Sequence, residues 1–123
     1  MAVSPAVALG AALFGGAGAV ARFLLDGAVS RALGRRAFPY GTLAVNLSGA
    51  LALGVLSGAA VLGDAYEVFG VGLIGGYTTF STWMLESHRL AEEGEGRGRL
   101  AAVNLVGSLV LGVLAVWVGR TIA

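Results

Sequence analysis

Midway along the 123-residue sequence stands Leu73-Ile74-Gly75-Gly76-Tyr77-Thr78-Thr79-Phe80-Ser81-Thr82-Trp83, where glycines, hydroxyls and aromatics interrupt a charge-free run. Glycine costs about 1 kcal/mol relative to alanine in a helix interior, and threonine is only a modest helix former. A helix through residues 75–79 is therefore locally weak. At membrane depth, backbone freed from a helix survives only inside protein or against a cavity or ion. Broken helices of this kind offer carbonyl oxygens to Na⁺ in several transporter folds. A continuous helix whose Ser and Thr hydroxyls bond back to i−4 carbonyls fits the same residues, and spacing alone leaves both readings open.

Other polar atoms fall at a matching depth. Asn46 lies five residues beyond Gly41, and Phe80 lies five residues before Leu85. At 1.5 Å per residue, both stand roughly 7 Å inside the ends of their apolar stretches. Thr42 and Asn46 share one helical face at i, i+4, as do Asn104 and Ser108. Such a polar stripe, with aromatics at the same level, suits a narrow permeation path. Interhelical hydrogen bonding, worth about 0.6 kcal/mol per bond in membrane bundles, accounts for the same polar residues. Phe80 and Trp83 stand at i, i+3, and an aromatic ring is positive at its edge. Ring edges turned to a pore favour a small anion without a fixed cation to trap it; simple packing of the two rings is the alternative.

The elements that position these residues follow from the charge map. The chain is 57% hydrophobic and 12% charged, against about a quarter charged in soluble domains. Residues 2–21, 37–63, 68–85 and 100–119 carry no Asp, Glu, Lys, Arg or His. A helix needs about 20 apolar residues to cross a bilayer, so the expectation is one transmembrane domain of four helices, at about 3–25, 41–62, 67–87 and 100–120. The first window is read as a span rather than a cleaved leader, since Met1–Pro5 holds no Lys or Arg. Cysteine is absent, histidine occurs once, and every basic residue is Arg. Disulfides and thiolate chemistry are excluded, and a net charge of +1 gives no reason to expect nucleic acid.

Four spans place both termini on one side. Arg31, Arg35, Arg36, Arg89, Arg97 and Arg99 then fall on the other side, against Arg120 alone. The positive-inside rule puts that Arg-rich side in the cytoplasm. Glycines recur at small-xxx-small spacing, as in Gly54 with Gly58 and Gly72 with Gly76, which lets helix backbones approach closely in lipid. Thin, tightly packed helices leave little room for a wide internal cavity, so a path between subunits forms more easily. Arg22, four residues before Asp26, reads either as a snorkelling, locally paired arginine or as a vestibule charge that gathers anions.

Gly15-Gly16-Ala17-Gly18-Ala19-Val20-Ala21-Arg22-Phe23, then Gly41-Thr42-Leu43-Ala44-Val45-Asn46 with Gly49, then Gly75-Gly76-Tyr77-Thr78-Thr79-Phe80-Ser81-Thr82 resemble the Fluc/CrcB fluoride channels, in order and over essentially the whole chain. The resemblance implies an all-α integral membrane protein of the plasma membrane whose third helix is broken near the midplane. Two such subunits, inserted antiparallel, would frame two fluoride pores. It also implies a central structural Na⁺ held by the backbone carbonyls of Gly75 and Thr78. Asn46 matches the pore asparagine and Phe80 the first pore phenylalanine, while Thr42, Ser81, Thr82 and Ser108 would supply a polar track. Arg22 matches the arginine near the aqueous entrance. The family pattern has a second Phe where this chain has Trp83, which is bulkier and carries an indole N–H donor. The implied partners are fluoride, sodium, membrane lipid and a second copy of the chain, although the Arg imbalance also suits pairing with a homologous subunit.

Two other classes fit less well. A small proton-coupled multidrug exporter needs a membrane-embedded carboxylate, and the nearest acids, Asp26 and Glu86, stand at the expected helix ends. A small membrane lipid kinase needs clustered acids for Mg²⁺, whereas Glu92, Glu93 and Glu95 lie in a short polar connector. The reading is a channel, not an enzyme.

Overall fold

A computed structural model describes residues 3–34, 38–92 and 97–123, and all its regular elements are helices. Arg35, Arg36 and the connector residues 93–96 lie outside the described residues, as do the side chains of Ser81 and Arg97.

Helix α1 (Pro5–Leu33) starts where Ser4 Oγ accepts a hydrogen bond from Val7 N–H at 3.2 Å, with Pro5 opening the first turn. It does not stop near residue 25. Gly27 alone does not interrupt it, and the helix ends only at Gly34, whose φ of +73° is open to glycine without steric cost. Helix α2 (Tyr40–Gly58) begins directly after Pro39 and ends short of the expected residue 62, in a turn where Ala60 and Gly63 take positive φ. Helix α3 (63–77) is continuous through Gly63–Ala65, a π-helical stretch Tyr66–Ile74 and a last turn Gly75–Tyr77. Thr78 is then extended, at φ −76° and ψ 160°, and the chain re-enters helix as α4 (Ser81–Glu92). Helix α5 (97–122) contains a π-helical turn at Val103–Gly107. The helix expected over 67–87 is thus two helices separated at residues 78–80.

Pro5–Leu33, Tyr40–Gly58 and Gly98–Ile122 are long and apolar enough to cross a membrane, while α3 and α4 divide the remaining apolar window between them. The packing is inside out relative to a soluble domain. Among the described residues Val45, Leu90 and Ala101 are the buried apolar side chains, whereas Leu13, Phe23, Leu109, Val113 and Trp117 are among many exposed ones. Lipid solvates such a surface and water does not.

Two glycine seams hold the helices together. Along the first, α1 runs parallel to α3: a Cβ on Gly72 would stand 2.7 Å from the Ala11 carbonyl oxygen, and one on Gly76 or Gly18 would meet Gly15 or Leu73 backbone. Along the second, α2 runs parallel to α5, where Gly54, Gly58 and Gly119 lie against Val116, Arg120 and Leu51 backbone. Side chains are absent where the backbones touch, so dispersion contacts replace the missing hydrophobic drive.

Overpacking of this kind costs about 1–3 kcal/mol. Gly54→Ala should therefore lower the thermal unfolding midpoint of the detergent-solubilised protein. Gly98→Ala, where a new Cβ meets nothing within 4 Å, should leave the midpoint unchanged or raise it slightly.

Candidate functional site

The break between α3 and α4 comes from competition for backbone donors. In an α-helix each N–H reaches the carbonyl four residues back. Thr78 N–H still does so, donating to Ile74 O at 2.9 Å, and its hydroxyl adds a bond to the same oxygen at 3.0 Å. Thr79 N–H instead donates to Asn46 Oδ1 at 2.9 Å, while Asn46 Nδ2 donates to Thr79 O at 3.0 Å. One carboxamide thereby offers Thr79 the donor and acceptor that a neighbouring strand would supply. Thr82 N–H is likewise diverted, to Thr79 Oγ1 at 3.2 Å, and the ladder resumes with Met84 N–H on Phe80 O at 2.9 Å. The two diverted donors are those that an unbroken helix would direct to the carbonyls of Gly75 and Thr78. These oxygens are the hard donors that Na⁺ prefers, which fits the ligand set implied by the resemblance.

Helix α2 secures the break at further points. Ser48 Oγ and Tyr77 Oη are 2.7 Å apart. Gly49 lies directly beneath Thr78, where any Cβ would collide with its methyl group and press on the Tyr77 ring at 3.3 Å. Glycine is needed here for space.

Asn46, Gly75, Thr78, Thr79, Phe80 and Trp83 line one groove of about 390 Å³. Phe80 projects from the bend just before α4 and is 70% exposed. Its ring meets Trp83 edge to face, with centroids 5.7 Å apart and planes at 74°, a favoured quadrupole geometry. The indole N–H leaves this pair and donates to the Asn104 carbonyl at 3.0 Å.

The other expected site residues lie off this groove. Thr42 is buried and its hydroxyl donates to the half-buried Glu86 carboxylate. Thr82 is half-buried beside the break, and Ser108 Oγ donates to Asn104 Oδ1 at 3.4 Å. Ser81 takes the first position of α4, and its side chain lies outside those described. Arg22 corrects the local-pairing reading. Its Nε is buried without a hydrogen-bond partner, and it forms no ion pair with Asp26, which instead faces Gly41 at the start of α2. Among the described residues, an imidazole–carboxylate contact joins His88 and Glu92, both exposed, at 3.3 Å.

Sequence reasoning missed the tie from Glu86 to Thr42 and the joint use of Ser87 and Asn104. Glu86 follows Thr82 by one helical turn, so it shares a face with the break. That spacing was the available signal once α4 is known to continue to Glu92. Asn104 and Ser108 do meet, as their i, i+4 spacing implies.

Membrane-length helices, an apolar exterior and a polar interruption clasped from a neighbouring helix define an integral membrane protein. Residues 9–120 match the family described as CrcB-like protein, Camphor Resistance (CrcB), and the chain belongs to that family. It is 52% identical over 118 residues to Fluoride-specific ion channel FluC 2 of Mycolicibacterium paratuberculosis, covering 96% of this chain and 94% of that relative. It is 52% identical over 105 residues to Fluoride-specific ion channel FluC 1 of Rubrobacter xylanophilus, covering 85% and 82%. Fluoride-specific ion channel FluC of Geobacter sulfurreducens is 41% identical over 116 residues, covering 90% and 91%.

Removing the carboxamide leaves the part-buried Thr79 N–H and C=O unpaired, at up to about 1–3 kcal/mol each. Asn46→Ala should therefore speed amide hydrogen exchange at Thr79 and its neighbours by at least tenfold. Exchange at Val45 and earlier residues of α2 should be nearly unaffected.

Proposed function

We propose that this chain is a fluoride channel of the plasma membrane that lets fluoride leave the cytoplasm passively. The observation that carries the reading is the single groove in which Asn46, Phe80 and Trp83 meet at the broken helix. The relatives, named fluoride-specific ion channels, supply the ion.

Two antiparallel copies form the working unit, because one copy presents this groove as an open surface rather than a closed conduit. Fluoride passes Asn46 and the edges of Phe80 and Trp83 in the groove, while Thr42, Ser81, Thr82 and Ser108, which lie off it, would serve as polar stations only where the path continues beyond the groove, with Arg22 near the aqueous entrance. The stations are weak and several, which favours exit as well as entry. The carbonyls of Gly75 and Thr78 are the oxygens that would hold the central Na⁺. When bound, the ion compensates these oxygens at a depth where water does not reach.

The energetics need no pump. Neutral HF crosses lipid from acid surroundings and ionises inside, and a negative-inside potential drives the anion outward by about 2.3 kcal/mol per 100 mV. The chain's work is selective leakage. A second reading, pairing with a homologous subunit inserted the other way, is favoured by the six-to-one Arg imbalance between the two sides.

The test is fluoride efflux from liposomes containing this purified chain alone. Efflux should be fast in Na⁺, should slow at least tenfold when a bulky organic cation replaces Na⁺ throughout preparation, and should fall at least tenfold in Phe80→Leu. That loss corresponds to about 1.4 kcal/mol of barrier. No efflux in Na⁺ from the chain alone, restored by a homologous partner, would establish the two-subunit reading. No efflux in either case would overturn the channel assignment.

A further inference from the structure

Asn104 is fully buried, on the π-helical turn Val103–Gly107 of α5. Its Nδ2 donates to Ser87 Oγ at 2.7 Å, and its Oδ1 accepts from Ser108 Oγ at 3.4 Å. Its main-chain carbonyl accepts both the Ser108 N–H and the Trp83 indole N–H. Ser87, 3% exposed, closes the circuit by donating to the Trp83 carbonyl at 2.8 Å. Trp83 is therefore anchored to α5 at its indole, while the Ser87 hydroxyl that bonds its carbonyl within α4 also takes the Asn104 carboxamide from α5. A buried carboxamide in an apolar helix is costly unless satisfied. Packing alone would accept an apolar residue at 104, so the network's distinctive effect is on Trp83.

That effect follows from anion chemistry. An indole N–H is a strong donor, and one facing the groove would bind a small anion tightly and delay its release. With the N–H committed to Asn104, the ring beside Phe80 presents carbon–hydrogen edges, which are only weakly positive. We propose that Asn104 and Ser87 are positioning residues that hold the Trp83 indole N–H out of the anion path, so that the indole serves as a plain aromatic edge. This rests on the channel reading above, and its test includes a signal independent of conduction.

The experiment uses the full chain in liposomes with Trp117→Phe, which leaves Trp83 as the single indole. Ultraviolet resonance Raman should report a hydrogen-bonded indole N–H. Ser87→Ala and Asn104→Asp should each shift that marker toward a weaker bond, and Ser87→Thr, which keeps a hydroxyl, should restore it. Fluoride efflux should fall about tenfold in Ser87→Ala and in Asn104→Asp. When Trp83→Phe is present, the same substitutions should change efflux less than threefold relative to Trp83→Phe alone. Equal losses with and without the indole would overturn the proposal, as would a free indole N–H in the starting protein. Two variants guard against failure of either one to fold. A chain that shows the bonded indole but passes no fluoride would fault the channel reading instead.

Discussion

The reciprocal pair of hydrogen bonds between Asn46 and Thr79 is the constraint on which the rest of the structure depends. A helix crossing lipid cannot simply open, because each freed N–H and C=O has no water to turn to. One carboxamide solves this for one residue by matching both groups. The clasp in turn requires α2 to approach α3 closely, and Gly49 beneath Thr78 leaves that space. Once Thr79 is satisfied from the side, Phe80 can leave the helical path. The helical donors for Gly75 and Thr78 are also diverted, so the clasp creates both the exposed aromatic and the available oxygens.

Helix α4 shows a second consequence. It is amphipathic and carries Glu86, His88, Arg89 and Glu92, so among its described residues apolar burial fixes it mainly at Leu90. It is tied instead through polar side chains: Thr42 reaches Glu86 from α2, and Asn104 reaches Ser87 and the Trp83 indole from α5. The long helices associate through bare backbone at their glycine seams, while the short helix after the break is located by hydrogen bonds. Dispersion fixes distance, and directional bonds fix orientation.

The weak segment was legible because Gly75, Gly76, Thr78 and Thr79 are individually poor helix residues. The point of rupture was not, because it is chosen by Asn46, 33 residues earlier in the chain. Local propensity marks where a helix can fail, while a distant partner decides which bond is given up. Helix ends were misjudged for a related reason. Arg22 and Asp26 suggested the edge of α1 near residue 25, but charge does not end a helix, and α1 runs on to Gly34. Their spacing also suggested an ion pair, yet Asp26 turns to the bare backbone at Gly41, a neighbour that no local pattern reveals. The i, i+4 pair of Asn104 and Ser108 was legible because both residues lie on one helix. Its connection to Ser87 and Trp83 depends on how α4 packs against α5 after the break.

The two aromatic rings of the groove are held by different means. Phe80 sits at the bend between Thr79 and α4, so its direction is set by the Thr79 clasp and hence by α2. Trp83 lies within α4, and its indole is set by the Asn104 carbonyl and hence by α5. The edge-to-face contact at 5.7 Å between them therefore joins two independently anchored rings. A phenylalanine at position 83 would have no N–H to reach α5 and would depend on packing alone. The larger side chain adds bulk beside the groove, but its single polar group is the means by which that bulk is kept in register.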